Sequence, residues 1–207
     1  MSCFYRFIRG VAKVVLTPLF RVKIIGLENV PQNGGVILCA NHTSLTDPIF
    51  LTINIKRQIH FMGKAELFGN FFTKWFFNKL GAFAVKRGKG DTGAIKTGED
   101  VIKNGGMMGI FPEGTRYLEG APRKAKAGVA MIAASTKADI LPVSIFREGK
   151  IHLFSKTTIR LARLSHLKNL NLTAKKALKK APFAMPASLL WKELQRCGRW
   201  VIENFSS

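Results

Sequence analysis

Acidic side chains are scarce: 12 Asp+Glu stand against 33 Lys+Arg in 207 residues, a formal net charge of +21. With 47% hydrophobic residues and 16 Phe, the chain is not a disordered polycation. The charge is carried by a folded body that needs an anionic partner: nucleic acid, anionic membrane or a phosphorylated small molecule. Cysteine is also scarce, and the scattered, odd set of Cys3, Cys39 and Cys197 excludes a disulfide framework and a zinc cluster. A reducing, intracellular setting is the expectation. Long apolar runs are missing, so no transmembrane helix is required. The start has the basic residues of a signal peptide, but Arg9 and Lys13 cut its apolar part and no small-x-small site follows. Repeats and long linkers are absent, and the length fits one domain with a real core.

What is present begins with a helical pattern. Phe4, Phe7, Ile8, Val11, Val15 and Leu19 recur at helical spacing, with Arg6, Arg9 and Lys13 elsewhere on the wheel. Pro18 marks the end of that helix. No acid precedes Glu28, against five Lys+Arg, which favours a helix lying in a membrane interface over one packed on its own domain. Strands are predicted at RVKIIGL, VILCA, AFAVKR, MMGIF, ILPVSIF and KTTIRLARL. Helices are predicted at Pro48 onward (capped by Asp47 or Thr46), around AIKTGEDVIKN, at GVAMIAASTK and at 188–204. Alternating strands and helices imply an α/β fold: one partly parallel, mixed sheet flanked by helices. The aromatic segment from Phe68 to Phe83 places Phe68, Phe72, Trp75 and Phe76 on one helical face, and ordinary core is its expected role. An acyl-groove wall and a membrane-inserting face are the alternatives. Between Gly149 and Lys192 there are ten Lys+Arg and no acid.

Three loops at strand ends carry polar residues beyond ordinary turn chemistry. In Asn41-His42-Thr43-Ser44-Leu45-Thr46-Asp47, a carboxylate five residues after a histidine can fix the imidazole tautomer and leave the other ring nitrogen as a general base. Such a dyad suits deprotonation of a hydroxyl that attacks an activated acyl carbon. By itself, the pair is better explained as a capping Asp and a surface His. Ser44 has no G-x-S-x-G elbow, and Cys39 lies in an apolar strand, so a direct transfer is expected rather than a covalent one. In Phe111-Pro112-Glu113-Gly114-Thr115-Arg116, Gly114 permits close backbone approach and Arg116 offers a fork for phosphate. Glu113 either accepts from a glycerol-type hydroxyl or holds Arg116. In Gly81 to Arg87, a strand ends in Lys86-Arg87, followed by a G-x-G-x-x-G from Gly88 to Gly93. Asp91 inside that turn and its late position in the chain count against a dinucleotide. Lys126, beside Arg123 and Lys124, is either a headgroup ligand or part of a solvated face.

These blocks, in this order, resemble the glycerolipid acyltransferase family typified by 1-acyl-sn-glycerol-3-phosphate acyltransferase (lysophosphatidic acid acyltransferase). NHTSLTD is similar to its N-H-x-S-x-x-D block, GAFAVKR to its second, FPEGTR to its third and ILPVSI to its fourth. Lys64 in GKAELF is similar to the Lys of a further segment. The likeness covers residues 20 to 147, with Ala84 where Pro is common and Tyr117 where Ser often follows. It implies His42 as general base and Asp47 as its orienting partner. Lys64, Arg87, Glu113, Gly114, Thr115 and Arg116 would hold the phosphate and glycerol end of the acceptor, with Asn41, Ser44 and Lys126 as further candidates. Backbone N–H groups near the first loop are expected to hold the oxyanion.

The implied reaction moves a fatty acyl group from acyl carrier protein or coenzyme A thioester to the 2-hydroxyl of lysophosphatidate, giving phosphatidate. No metal and no other cofactor is expected. Glycerol 3-phosphate and other lysophospholipids are alternative acceptors. A basic nucleic-acid-binding module is a remote alternative, because the aromatics cluster apart from the basic residues. Residues 1–20 are read as an amphipathic membrane-associating helix. Residues 21–207 are read as the acyltransferase domain, with a motif-bearing core at 21–147 and a basic part at 148–207. The expected place is the cytoplasmic face of the cell membrane, peripheral or monotopic, against anionic phospholipid.

Overall fold

The computed structural model describes residues 1–86, 91–116, 128–147, 149 and 151–164. Arg87, Lys126, the glycines at 88–90 and the helix expected at 188–204 lie outside the described residues, as does the basic stretch beyond 164.

Among the described residues, seven strands form one sheet: β1 (Arg21–Ile25), β2 (Val36–Ala40), β3 (Ile59–Lys64), β4 (Phe83–Val85), β5 (Met107–Ile110), β6 (Asp139–Arg147) and β7 (Lys156–Leu161). Their spatial order is β1-β7-β6-β2-β5-β3-β4. Only β6 and β7 pair antiparallel; the other neighbours are parallel. The helices are α1 (Cys3–Leu19), α2 (Asp47–Asn54), α3 (Phe71–Lys79), α4 (Thr92–Lys103) and α5 (Gly128–Thr136). This is the mixed α/β sheet expected from the alternation of patterns. Strand β3 was not foreseen, because His60, Gly63 and Lys64 break both the alternation and the apolar run that mark a strand.

VILCA is central and buried along its whole length, as an unalternating apolar run in a parallel sheet should be. Its side chains divide by parity. Val36, Leu38 and Ala40 join Phe50, Leu51 and Ile53 of α2 on one face. Ile37 and Cys39 join Ile102 of α4 and Ile132 of α5 on the other. Because β2, β3, β4 and β5 run parallel, the loops that follow them emerge along one edge, where α/β sheets bind ligands.

Helix α1 is both packed and open. Tyr5 is buried, with its hydroxyl accepting from the Ile59 N–H at 3.4 Å. Arg9 turns inward: Nε and Nη2 donate to the carbonyls of Thr52 and Ile53 at 3.0 and 3.4 Å, closing the C-terminal end of α2. Phe7, Val11, Val14 and Val15 face outward and stay exposed.

The aromatic segment departs from the core expectation. Phe68 sits in a short 3-10 turn (Ala65–Phe68), separate from α3. No residue of α3 is buried; Phe71 is 87% and Phe72 70% exposed. In the chain α3 lies between β3 and the edge strand β4, and no described element buries it. Among ring contacts, it meets α1 only through Phe4, at 5.4 Å from Trp75 and 6.2 Å from Phe76.

Candidate active site

The loop after β2 is built around one carboxylate. Asp47 is fully buried, and its Oδ2 accepts from the Thr43 and Ser44 N–H groups at 2.7 and 2.6 Å. The same oxygen lies 3.1 Å from His42 Nδ1. Neither expected cap bonds the helix: Thr46 occupies the cap position without a side-chain bond, and Asp47 is already the first helical residue. The Asp47 carboxylate turns back into the loop instead, because its amides and the imidazole outcompete those of α2. Burial alone would raise this carboxyl. The hydrogen bonds from His42, Ser44 and Thr43 outweigh it and hold Asp47 below the usual carboxylate range. An ionised Asp47 accepts the proton on Nδ1, so the Nε2 lone pair of His42 is the free one.

Stacked rings set the imidazole plane. His42 lies on Phe111 at 4.1 Å and 20°, and Phe111 lies on Phe61 at 5.7 Å and 6°. Phe61 of β3 stands opposite Gly109 of β5 in register. A Cβ on Gly109 would meet the Phe61 ring at 2.5 Å, so this glycine is what lets the ring lie where it does. Gly114, at φ +68°, makes the turn of FPEGTR, with its N–H donating to the Phe111 carbonyl at 3.0 Å.

Glu113 is not where either expectation put it. It is 2% exposed and makes no ion pair with Arg116. Its Oε2 accepts from the His42 backbone N–H at 3.1 Å, underneath the loop, and Oε1 has no partner among the described residues. Burial, helped by the nearby Asp47 charge and opposed by the His42 N–H, pushes this carboxyl up to about 7. A neutral carboxyl tolerates an unpaired buried oxygen far better than a carboxylate does. The amides of His42, Thr43 and Ser44 are all donated to Glu113 or Asp47, so an oxyanion held near this loop needs other donors.

His42 opens onto a cavity of about 950 Å³. Its lining includes Lys64, Lys86, Thr115 and Arg116 as well as Tyr5, Ile8, Ala12, Phe68, Phe76 and Phe77. Lys64 is half-exposed at the rim and paired with Glu66 at 2.9 Å. Arg116 is exposed, with no carboxylate partner among the described residues. Thus His42, Lys64, Gly114, Thr115 and Arg116 share the cavity wall, with Asp47 directly behind His42, whereas Glu113 stands off the wall. Asn41 fastens the loop to β6, its Nδ2 donating to the Ile145 carbonyl at 2.8 Å and its Oδ1 accepting from the Ile145 N–H at 2.6 Å. Ser44 Oγ bonds the Thr46 hydroxyl at 3.0 Å and its N–H at 3.3 Å, and has no bond to His42. Cys39 is buried, and burial pushes its thiol up, away from the reactive thiolate. Among the described residues, no three His, Cys, Asp or Glu side chains converge as metal ligands.

Two contributors escaped the sequence reading. Phe61 had no motif. Arg147, in the last position of β6, lies 3.2 Å from Asp47 Oδ1 with a side chain 4% exposed. A lone Arg at a strand end carries no pattern that would have marked it.

The Acyltransferase family model matches residues 21–146. A 1-acyl-sn-glycerol-3-phosphate acyltransferase of Bacillus subtilis is 34% identical over 173 residues, spanning 79% of this chain and 86% of the relative. A chloroplastic 1-acyl-sn-glycerol-3-phosphate acyltransferase of Arabidopsis thaliana is 28% identical over 152 residues, 72% of this chain but 42% of the relative. The fold is similar to the crystal structure of the 1-acyl-sn-glycerophosphate (LPA) acyltransferase PlsC from Thermotoga maritima. That likeness has a TM-score of 0.72 at 23% identity and covers 98% of this chain and 80% of the other. By the family match over most of its length and by the Bacillus relative, the chain belongs to the Acyltransferase family and is an enzyme that transfers acyl groups.

Proposed function

We propose that the enzyme acylates the 2-hydroxyl of 1-acyl-sn-glycerol 3-phosphate from an acyl thioester, giving phosphatidate. One observation carries this reading: a His42–Asp47 pair opens onto a cavity whose lining includes both cations (Lys64, Lys86 and Arg116) and many rings and aliphatic chains. His42 Nε2 takes the proton of the 2-hydroxyl as its oxygen attacks the thioester carbonyl. Asp47 stabilises the imidazolium that results. The tetrahedral intermediate expels the thiolate, which recovers the proton from His42, so no covalent enzyme species forms. Arg116 and Lys64 hold the acceptor phosphate, with Arg87 and Lys126 as further candidates, and the apolar wall receives acyl chain. The thioester is itself the activated donor, and the reading calls for no other cofactor. The names of the Bacillus and Arabidopsis relatives, both 1-acyl-sn-glycerol-3-phosphate acyltransferases, support lysophosphatidate as acceptor.

Membrane attachment belongs to the same reading. No helix among the described residues is long and apolar enough to cross a membrane. Phe7, Val11 and Val14 of α1 and Phe71 and Phe72 of α3 are exposed together with Arg6, Lys13 and Lys74. Rings and aliphatic chains beside cations suit the interface of an anionic bilayer. A lipid acceptor then enters from the surface on which α1 and α3 rest.

The test is acyl transfer by purified protein on vesicles, with lysophosphatidate, glycerol 3-phosphate and lysophosphatidylcholine as acceptors and both carrier-protein and coenzyme A thioesters as donors. Phosphatidate formed by wild type and lost in His42→Ala supports the reading. Preference for another acceptor replaces it.

A further inference from the structure

Arg147 spends all three guanidinium nitrogens on three different elements. Nε donates to Thr157 Oγ1 of β7 at 3.0 Å, Nη1 to Thr43 Oγ1 in the His42 loop at 3.1 Å, and Nη2 to Asp47 Oδ1 of α2 at 3.2 Å. The two oxygens of Asp47 therefore have separate duties. Oδ2 collects His42, Thr43 and Ser44, while among the described residues Oδ1 is bonded to Arg147 alone. An aspartate's terminal torsion is broad and two-fold, so a carboxylate gripped on one oxygen can still swing. A buried fork on the second oxygen removes that freedom and keeps Oδ2 on the imidazole.

The same strand fastens the start of the loop two residues earlier, through the paired Asn41–Ile145 bonds. Strand β6 thus holds both ends of the segment that carries His42. Arg147 is absent from the cavity wall, so it meets neither acceptor nor acyl chain. We infer that Arg147 is a positioning residue for acyl transfer, locking Asp47 so that His42 presents a fixed tautomer and orientation to the acceptor hydroxyl. This rests on the proposed reaction for its kinetic test, but not for its spectroscopic one.

Two full-length variants test it, Arg147→Met and Arg147→Lys, on protein whose fold is checked by circular dichroism. Arg147→Met should lower kcat about 10- to 100-fold with KM within about twofold, the loss usual for a partner that orients an active group. Arg147→Lys keeps the charge but lacks the planar fork, and should recover stability more fully than kcat. Wild-type kcat in a folded Met variant overturns the inference. A raised KM at unchanged kcat overturns it as well, because Arg147 would then serve acceptor binding.

The second readout needs no turnover. In protein labelled with nitrogen-15 histidine, the His42 Nδ1–H signal is identified by its loss in His42→Ala. It should shift and exchange faster with water in Arg147→Met; an unchanged signal overturns the inference. If the Met variant does not fold, Thr157→Val removes the Nε anchor with the ion pair intact, and the same signal decides. A wild type that fails to acylate lysophosphatidate refutes the proposed acceptor, while the histidine signal still decides the role of Arg147.

Discussion

The two sides of the cavity are built by opposite means. On the His42 side, a seven-residue loop is fastened by directional bonds: four on Asp47 Oδ2, one on Oδ1, two through Asn41 and one from the His42 N–H to Glu113. On the α1 and α3 side, rings meet rings at 5.4 to 6.2 Å, and much of their surface is left open. Hydrogen bonds fix position to tenths of an ångström, which a proton transfer requires. Apolar contact is non-directional and tolerates shift, which suits a flexible chain or a lipid surface. The contrast predicts that damage to the first side reads out in kcat, and damage to the second in partitioning.

The largest effect should come from the dyad. His42→Ala should lower kcat by about 10³- to 10⁴-fold, the scale of losing a general base. Its urea midpoint should stay near wild type, since the ring is at the cavity wall. Asp47→Asn should lose turnover similarly and also destabilise by about 3 to 5 kcal/mol, because it strands the buried Arg147 charge. An Asp47→Asn protein as stable as wild type would break the account of that side as a charge-paired core.

Next, Phe71→Ser with Phe72→Ser should weaken binding to anionic vesicles about 1,000-fold, at ~2 kcal/mol for each ring. Sedimentation with vesicles measures it, while turnover of a short-chain, water-soluble acceptor stays near wild type. Equal vesicle binding by the double variant would mean that α3 does not meet the bilayer.

Glu113 tests the buried underside of the loop. Its carboxyl titrates near 7 in the folded protein against an ordinary 4.5. Between those values the folded state holds more protons than the unfolded one. Its contribution to stability is therefore full below 4.5 and is lost as pH rises through 7. Glu113→Gln keeps an acceptor for the His42 N–H but cannot ionise. Stabilities from urea unfolding at pH 5 and pH 8 should show the variant gaining about 2.5 kcal/mol on wild type across that interval. Parallel pH dependence of the two proteins would mean that Glu113 is ionised throughout. The smallest effect is expected of Arg116→Ala: a KM for lysophosphatidate raised about 30-fold, ~2 kcal/mol, with kcat nearly unchanged.

Much of this was legible without coordinates, for reasons that are local. An all-apolar VILCA has to be a strand buried on both faces, and the Gly and Pro punctuation of NHTSLTDP and FPEGTR has to be loop. Periodicity marked α1, though not that Arg9 would turn inward. The spacing of His42 and Asp47 could be read because both partners lie within one turn of chain. Lys64 was placed by likeness alone, since the strand that carries it has no pattern.

The sequence by itself determined the α/β class, the sheet edge where polar loops gather and the identity of the candidate base. Only tertiary structure decided what surrounds that base. Arg147 lies 100 positions from Asp47 in sequence and Glu113 lies 71 from His42, so each pairing exists only once β6 and β5 have flanked β2. The same holds for the aromatics. A segment with rings on one helical face reads as core, yet no residue of α3 is buried among the described residues. Chain-local chemistry follows from residue type and spacing; burial and partnership follow from which strand lies beside which.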